Sequence, residues 1–130
     1  MIENELRAAL IGHLRADPVL QTMLNAVTEE APSRASPPWL GIAASASTDW
    51  SHKTGRGREV RIAFELHARA DEPRACFDMA NAVQDAVESL PRGQDGFDLV
   101  GTLFLRGRVE ERPRNTRAML LEYRFRALAA

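Results

Sequence analysis

The segment REVRIAFELHAR, from Arg58 to Arg69, constrains the fold most, because apolar side chains occupy every second position along it. Val60, Ile62, Phe64, Leu66 and Ala68 alternate along it, and the positions between them hold mostly charged residues. This period of two predicts a β-strand with one buried face and one face that is solvated or engaged by a partner. The rest of the chain must then supply neighbouring strands and a layer that covers the apolar face.

Three other segments predict the neighbouring strands. Residues 39–50 are the weakest of them, since alanine and serine have low strand preference. Residues 97–110 and 119–127 alternate more clearly, and ERPRNTR would turn the chain between them. The side chains predicted to point inward are Leu40, Ile42, Ala44, Leu99, Leu103, Leu105, Val109, Met119, Leu121, Tyr123, Phe125 and Ala127.

The connection SHKTGRG separates the first two predicted strands. Its glycines, Gly55 and Gly57, predict a hairpin loop in which they supply positive φ angles. The segment GRGRE does not match a phosphate-binding loop, because it precedes a strand, whereas those motifs precede a helix. We therefore interpret the connection as structural.

Helical spacing of apolar residues appears in three places. Residues 2–16 predict an amphipathic helix that ends at Asp17-Pro18, and residues 19–27 predict a second short helical piece. The proline-rich residues 28–38 predict a loop. Asp71 is the predicted N-cap of a third helix that runs to about Leu90. Its apolar stripe comprises Cys76, Met79, Ala80, Val83, Ala86, Val87 and Leu90.

The order of these elements is α-β-β-α-β-β, which predicts an α+β fold. The expected architecture is a four-stranded antiparallel sheet made of two hairpins, with the helices packed on one face. The length of 130 residues predicts one domain over 1–130. Such a sheet has exposed edges, which invite pairing with another copy of the chain.

The charge is close to balanced in sum but unevenly distributed. The sequence has 17 Lys and Arg residues and 18 Asp and Glu residues, with a net charge of -1. The predicted helices are acidic, whereas the predicted strand pairs are rich in arginine, which forms planar ion pairs at interfaces. No apolar run reaches the roughly 20 residues of a spanning helix, and the acidic N-terminus does not resemble a secretory signal. We expect a protein without a membrane association that is made in the cytoplasm.

The residues that could support catalysis are scattered. His13, His52, His67 and Cys76 do not share a metal-ligand spacing, and the sequence contains no nucleophile elbow. His13 and Cys76 lie on apolar helix stripes, where a packed side chain is the simpler interpretation. The sequence thus predicts neither an enzyme nor a cofactor.

Nucleic-acid binding is a second interpretation of the arginine-rich sheet face. Arginines on that face could contact phosphates, but glutamates alternate with them and stacking aromatics are scarce. Cross-strand ion pairs or a charged subunit interface account for the pattern better. A non-specific nucleic-acid-binding module and a small oligomeric scaffold remain the alternatives.

Four segments carry a family resemblance that extends over almost the whole chain, namely LRAALIGHLRADPVL, DWSHKTGRGREVRIAFELHAR, ACFDMANAVQDAVESL and RAMLLEYRFRAL. They resemble the phage tail terminator, or tail-completion, family, and the first two resemble members from prophages and gene transfer agents most closely. The alanine-rich segment IAASAS departs from the family pattern, in which a more aromatic and branched strand is expected.

The resemblance implies a structural role without catalysis. Proteins of this family form a ring, typically hexameric, that caps the head-proximal end of the tail tube and meets the head connector. The implied partners are copies of the chain itself, the tail tube protein and a head completion or connector protein, with DNA only passing through the lumen without being read. The implied location is the tail-head junction of a virion or phage-like particle that is assembled in a bacterium.

We expect residues 50–57 and the ERPRNTR turn to lie at ring faces or between subunits, and arginines of the sheet face to take part in contacts. The candidate interface residues are Trp50, His52, Lys53, Arg56, Arg58, Arg61, Arg106, Arg108, Arg112, Arg114, Arg124 and Arg126.

Overall fold

The computed structural model describes residues 1–32 and 34–130 of the chain. The elements in chain order are α1 (Ile2–Ala16), α2 (Pro18–Met23), β1 (Ala26–Val27), β2 (Trp39–Asp49), β3 (Gly57–Arg69), α3 (Pro73–Glu88), β4 (Phe97–Arg112) and β5 (Thr116–Ala129). The α+β class agrees with the prediction. The sheet, however, has five strands rather than four.

The five strands follow the order β1-β2-β3-β5-β4 across the sheet. Among the four long strands, neighbours are antiparallel to one another, and the two hairpins β2-β3 and β4-β5 join through the central pair β3-β5. The additional strand, β1, is parallel to β2 and pairs with its first two residues. The predicted order α-β-β-α-β-β therefore lacked this strand.

The second helical piece is shorter than predicted, because Asn25 ties the chain to the segment before β2. The Asn25 backbone N–H donates to the Pro38 carbonyl at 2.8 Å, and its side-chain amide donates to the Ser36 carbonyl at 3.0 Å. These bonds end the helix before residue 24 and align β1 beside β2. In the predicted loop over 28–38, residue 33 lies outside the described residues, and the others form neither helix nor strand.

The core lies between the helices and one face of the sheet. The β3 side chains Val60, Ile62, Phe64 and Leu66 are all buried, as the alternation predicts. The apolar stripe of α3 is buried along its whole predicted length, together with the inward side chains predicted for β5. Helix α3 begins differently from the prediction. Glu72, rather than Asp71, occupies the N-cap position, without a side-chain capping bond, and Pro73 follows in the first turn.

Three side chains predicted to point inward from β4 are exposed instead. Leu103 is 46% exposed, Leu105 37% and Val109 55%. Two irregularities account for Leu103 and Leu105, since the pairing of β4 with β5 shifts between Leu99 and Gly101 and again between Phe104 and Arg106. The two shifts cancel by Val109, which lies opposite the buried Met119 on the helix side of the sheet. Each extra residue changes the face on which later side chains lie. In addition, β4 is an edge strand beside β5, whereas α1 packs over β3 and β5.

A similar shift explains Ala44 in β2, which was predicted to point inward and is exposed. The pairing with β3 is irregular between Ile42 and Ala44. Leu40 and Ile42, which precede the shift, are buried as predicted. The second half of β2 is therefore exposed on both faces.

The glycines of the β2-β3 connection act differently from the prediction. Neither Gly55 nor Gly57 has a positive φ, whereas Gly96, before β4, has a φ of 87°. Gly57 is needed for space, because a Cβ atom there would meet the carbonyl oxygen of Trp50 and would lie 2.8 Å from a methyl carbon of Leu128. Close backbone approach, rather than backbone angle, thus requires glycine at this position.

Candidate functional site

The sheet face opposite the helices carries ion pairs between neighbouring strands. Glu59 of β3 lies opposite Arg126 of β5 and accepts a hydrogen bond from its Nε at 3.0 Å. The Nε of Arg124 lies 3.9 Å from the same carboxylate oxygen. The register places Arg61 opposite Arg124. One glutamate thus offsets two of the arginines that the sequence marked as interface candidates.

The Trp50 ring covers one end of this charged face. The guanidinium carbon of Arg126 lies 5.3 Å from its centroid, and the His52 ring approaches it edge-on with centroids 4.6 Å apart. The Trp50 backbone N–H donates to the Gly57 carbonyl at 2.9 Å, which closes the hairpin. A cation over an aromatic face is attractive, so the position of Trp50 is fixed from both sides.

Arg56 and Arg58, both predicted interface residues, are separated by the structure. The Arg58 guanidinium turns toward the helix layer, where its Nε lies 3.7 Å from Glu3 of α1 and donates to the Ser47 hydroxyl at 2.9 Å. The Arg56 side chain is exposed, as are those of His52 and Lys53 in the same connection. Arg58 is therefore engaged within the subunit, whereas the loop residues face solvent.

A second group of arginines lies on β4. Arg106 pairs with Glu122 of β5, directly opposite it in the register. Further along the strand, Glu110 lies between two arginines, 2.7 Å from Arg112 and 3.4 Å from Arg108. The hydrogen bond from Arg106 lowers the pKa of Glu122, and the hydrogen bond from Arg112 likewise lowers the pKa of Glu110. These carboxylates are consequently held in the charged form.

The candidate residues fall at two opposite ends of the sheet. The β2-β3 connection, with Trp50 and Lys53, lies beside the end of β5, since Gly57 pairs with Leu128. The β4-β5 turn lies at the other end and contains Arg114, which is exposed and has a φ of 63°. The structure thus brings together the sheet-face arginines but not the two loops.

The sequence analysis missed an apolar surface on β4. Leu103, Phe104, Leu105 and Val109 are all more than a third exposed, and Phe104 packs edge-on against Tyr123 at 5.3 Å. The run of three consecutive apolar residues, 103–105, was the available signal, because alternation requires at least one of them to point outward. The register places Leu103 opposite Arg124 of the charged face, and Phe104 and Val109 opposite the buried Tyr123 and Met119, so these side chains lie on both faces of the edge strand. We define the four residues together as the β4 apolar surface.

Metal sites and membrane-spanning helices are both absent from the described part of the chain. Over residues 1–32 and 34–130, no three His, Cys, Asp or Glu side chains are grouped so as to hold a metal ion. Among the helices described, none is both long and apolar enough to cross a membrane. The features that the structure does present are the ion-paired sheet face, two exposed turns and the β4 apolar surface.

These features define a small two-layer α+β protein with a charged sheet face. The chain belongs to the family of tail completion proteins gp17, whose model matches residues 8–128. It is accordingly a structural protein of the virion tail. The resemblance identified from the sequence is thereby confirmed.

Two solved structures show the same fold. A chain from the virion of a native gene transfer agent particle is 25% identical, with a TM-score of 0.79, and the match covers 98% of this chain and 97% of that chain. The gp17 protein of bacteriophage SPP1 is 20% identical, with a TM-score of 0.54 over 94% of this chain and 88% of that one. A search of curated proteins found no match.

Proposed function

We propose that the protein forms a closed ring of six copies that caps the head-proximal end of the tail tube and joins the tail to the head. The observation that carries the proposal is the similarity, over 98% of the chain, to a chain in a gene transfer agent virion. Membership of the tail-completion family supports the same role. The ring's partners would be the tail tube protein and a head completion or connector protein.

A ring requires a contact that joins two different surfaces of the same chain. The distribution of charge supports such a contact, because the exposed side of α3 carries Asp78, Asp85 and Glu88, whereas the sheet face and β4 carry arginines. Opposite charges on separate surfaces favour head-to-tail association and disfavour association of like surfaces. A generic oligomeric scaffold could use the same charge distribution. It would differ from the proposed protein only in not binding tail or head proteins.

The two turns would meet different partners, since they lie at opposite ends of the strands. Replacing Lys53 and Arg56 by glutamate reverses the charge of the exposed β2-β3 connection while leaving the Arg58 ion pair in place. We expect particles with this double variant to fail in tail joining or in tube capping, but not in both. Arg114→Glu in the β4-β5 turn is the matched variant and should affect the other step. Normal particles from both variants would reject the assignment of the turns.

Removal of the protein from a particle-producing strain tests the role itself. Without the cap we expect tailless heads and free tubes of uncontrolled length, visible by negative-stain electron microscopy, and restoration by the wild-type gene. Particles of normal tail length and infectivity or transfer activity in the deletion strain would contradict the proposal. Unjoined tails of normal length would support joining but contradict capping.

Contact with passing DNA is a second candidate, favoured by one observation. Arg61 is exposed on the sheet face and, among the described residues, forms no ion pair within 4.0 Å. Arg124 and Arg126 share a single counter-charge, Glu59, so Arg61 is the arginine of this group most available for phosphates. Binding of duplex DNA to the isolated protein that weakens steeply with salt and is lost in Arg61→Ala would support this function.

A further inference from the structure

Strand β4 is an unpaired edge of unusual length. It runs for 16 residues, of which the first three are hydrogen-bonded by residues 92–94 on the side away from β5. Beyond them, in the part of the chain that the structure describes, no strand pairs with that side. Four of the large exposed hydrophobic side chains, the β4 apolar surface, lie on it. A long edge with exposed apolar side chains is a template for pairing with another strand. Proteins that leave such an edge uncovered as monomers risk aggregation.

The opposite edge of the sheet is also largely unpaired. Strand β1 pairs only with Trp39 and Leu40 of β2, and Glu29 accepts one further bond from the Ile42 N–H at 3.3 Å. Beyond that point, residues 43–49 have β3 on one side and, among the described residues, no strand on the other. This part of β2 contains only small side chains before Thr48 and lacks lysine and proline, which commonly protect an edge.

The directions of the two edge strands are compatible with pairing between copies. Three antiparallel pairings separate β2 from β4 across the sheet, so the two strands run in opposite directions. If a second copy is placed beside the first by rotation about an axis parallel to the strands, its β2 lies antiparallel to the first copy's β4. The same step can be repeated by each further copy, which is the requirement for a ring.

The side chains of the two edges are complementary in size and charge. The large side chains of the β4 apolar surface would face the alanines and serines of residues 43–47, where little side-chain volume obstructs them. Residues 39–49 contain one acid, Asp49, and no base, and the exposed Glu30 lies next to this edge. Residues 103–114 contain four arginines and two glutamates. Opposite net charges favour this pairing over β4 with β4.

We infer that the β4 edge of one copy pairs with the β2 edge of the next, and that this strand pairing forms the backbone part of the contact between neighbouring subunits. The inference rests on the proposed ring. It names the surfaces that the ring uses, and it assigns to the β4 apolar surface the role of sealing that contact. Backbone hydrogen bonds between the two strands would set the relative orientation of the subunits, and burial of the apolar side chains would supply most of the binding free energy.

Cross-linking between variants that each carry one added cysteine tests which edges meet. One panel carries Ala44→Cys, Ala46→Cys or Thr48→Cys in β2, and the other carries Leu103→Cys, Leu105→Cys or Val109→Cys in β4. Native Cys76 is buried and burial raises its thiol pKa, so it should not react in the folded protein. Wild-type protein treated in parallel checks this. Each pair is mixed under assembly conditions with a short bismaleimide.

The expected result is cross-linked dimers from mixtures of one β2 variant with one β4 variant, but not from either panel alone. Dimers from β4 variants alone would overturn the inference in favour of a two-fold β4 contact. Rings of full mass without mixed cross-links would also overturn it, while leaving the proposed ring intact. Failure of any assembly, with or without tube protein, would overturn the ring proposal and the inference together.

A matched pair of valine variants tests the role of the apolar surface. Val109 is 55% exposed on β4 and Val19 is 53% exposed on α2, so lysine at either site should leave the monomer folded. We expect Val109→Lys to raise the protein concentration needed for assembly by about tenfold or more, because a charge would be buried in the contact. Val19→Lys should assemble like wild type. Equal assembly of both variants would overturn the inference.

Discussion

The hydroxyl of Tyr123 donates a 2.7 Å hydrogen bond to Glu88, and this bond links the central strand β5 to the end of helix α3. Tyr123 is fully buried, and its ring packs against Phe64, Phe104 and Phe125. Glu88 is exposed, so the bond passes from the core to the surface. The two layers of the fold are thus joined by a polar bond as well as by apolar packing.

Removal of this hydroxyl should weaken the fold moderately. Tyr123→Phe keeps the ring but loses the hydrogen bond, and the free energy of unfolding should fall by about 1 kcal/mol, since the Glu88 carboxylate remains solvated. Urea denaturation followed by circular dichroism measures this change. Glu88→Gln retains an acceptor oxygen and should cost less than Tyr123→Phe. A Tyr123→Phe variant as stable as wild type would show that the bond contributes nothing.

The same bond predicts a loss of stability in alkali. Burial, followed by the hydrogen bond and charge of Glu88, raises the pKa of Tyr123 well above its ordinary value of 10.0. The folded state therefore keeps the neutral form, while the unfolded chain ionises near pH 10, so the stabilisation is complete below that pH and is lost as the pH rises above it. Wild type should become less stable relative to Tyr123→Phe from pH 9 to about pH 11. A stability difference between the two proteins that does not change over this range would contradict the assignment.

Glycine at position 57 should be irreplaceable for steric reasons. Gly57→Ala places a methyl group against the Trp50 carbonyl and the Leu128 side chain, and we expect a loss of about 1–3 kcal/mol in the free energy of unfolding. Gly55→Ala is the control, because a Cβ there meets nothing within 4 Å and the φ of Gly55 is not positive. Thermal denaturation of both variants distinguishes them. Similar melting temperatures would show that the hairpin adjusts freely.

Removal of the Glu59 charge should destabilise the folded protein, because Glu59 is the counter-charge of two arginines on the sheet face. Glu59→Gln leaves the guanidinium groups of Arg124 and Arg126 without their shared counter-charge, and we expect a loss on the order of 1 kcal/mol at low salt. Added salt should reduce the difference from wild type, since the destabilising repulsion is screened. Chemical denaturation with urea at 20 mM and 500 mM salt measures both quantities. A loss that does not respond to salt would point to packing rather than charge.

Mild acid should weaken the β4-β5 hairpin. The arginine partners lower the pKa of Glu122 and of Glu110 below the ordinary value of 4.5, so these groups stabilise the folded state above that pH, and the effect is lost as the pH falls through their folded values. Amide hydrogen exchange of β4 can be measured at pH 6 and at about pH 3. After correction for the pH dependence of the intrinsic exchange rate, the β4 amides should be less protected at the lower pH. The double variant Glu122→Gln and Glu110→Gln should show a smaller change with pH. Equal changes in both proteins would contradict this account.

The central strands could be predicted from the sequence because their environment is uniform. β3 has a strand on each side and helices over one face, so its side chains alternate between core and surface from Val60 to Leu66. β5 follows the same rule. Local spacing of apolar residues therefore reports burial directly in the middle of the sheet.

The edges could not be predicted in the same way, because tertiary contacts decide them. Two pairing shifts in β4 and one in β2 change the face of later side chains, and alternation does not reveal where an extra residue falls. The end of α2 depends on hydrogen bonds from Asn25 to residues 36–38, which are distant in sequence. The separation of Arg56 from Arg58 depends on Glu3, at the other end of the domain's sequence. The cross-strand ion pairs of the sheet face could thus be predicted from the sequence, whereas the apolar edge could not.

The mass of the protein in solution, alone and mixed with the tail tube protein, tests the central claim most directly. Multi-angle light scattering after size exclusion measures it without reference to shape. The account predicts a ring with a mass of about six times 14.4 kDa, either for the protein alone or on addition of the tube protein. A monomer of 14.4 kDa that remains unchanged with excess tube protein would contradict it.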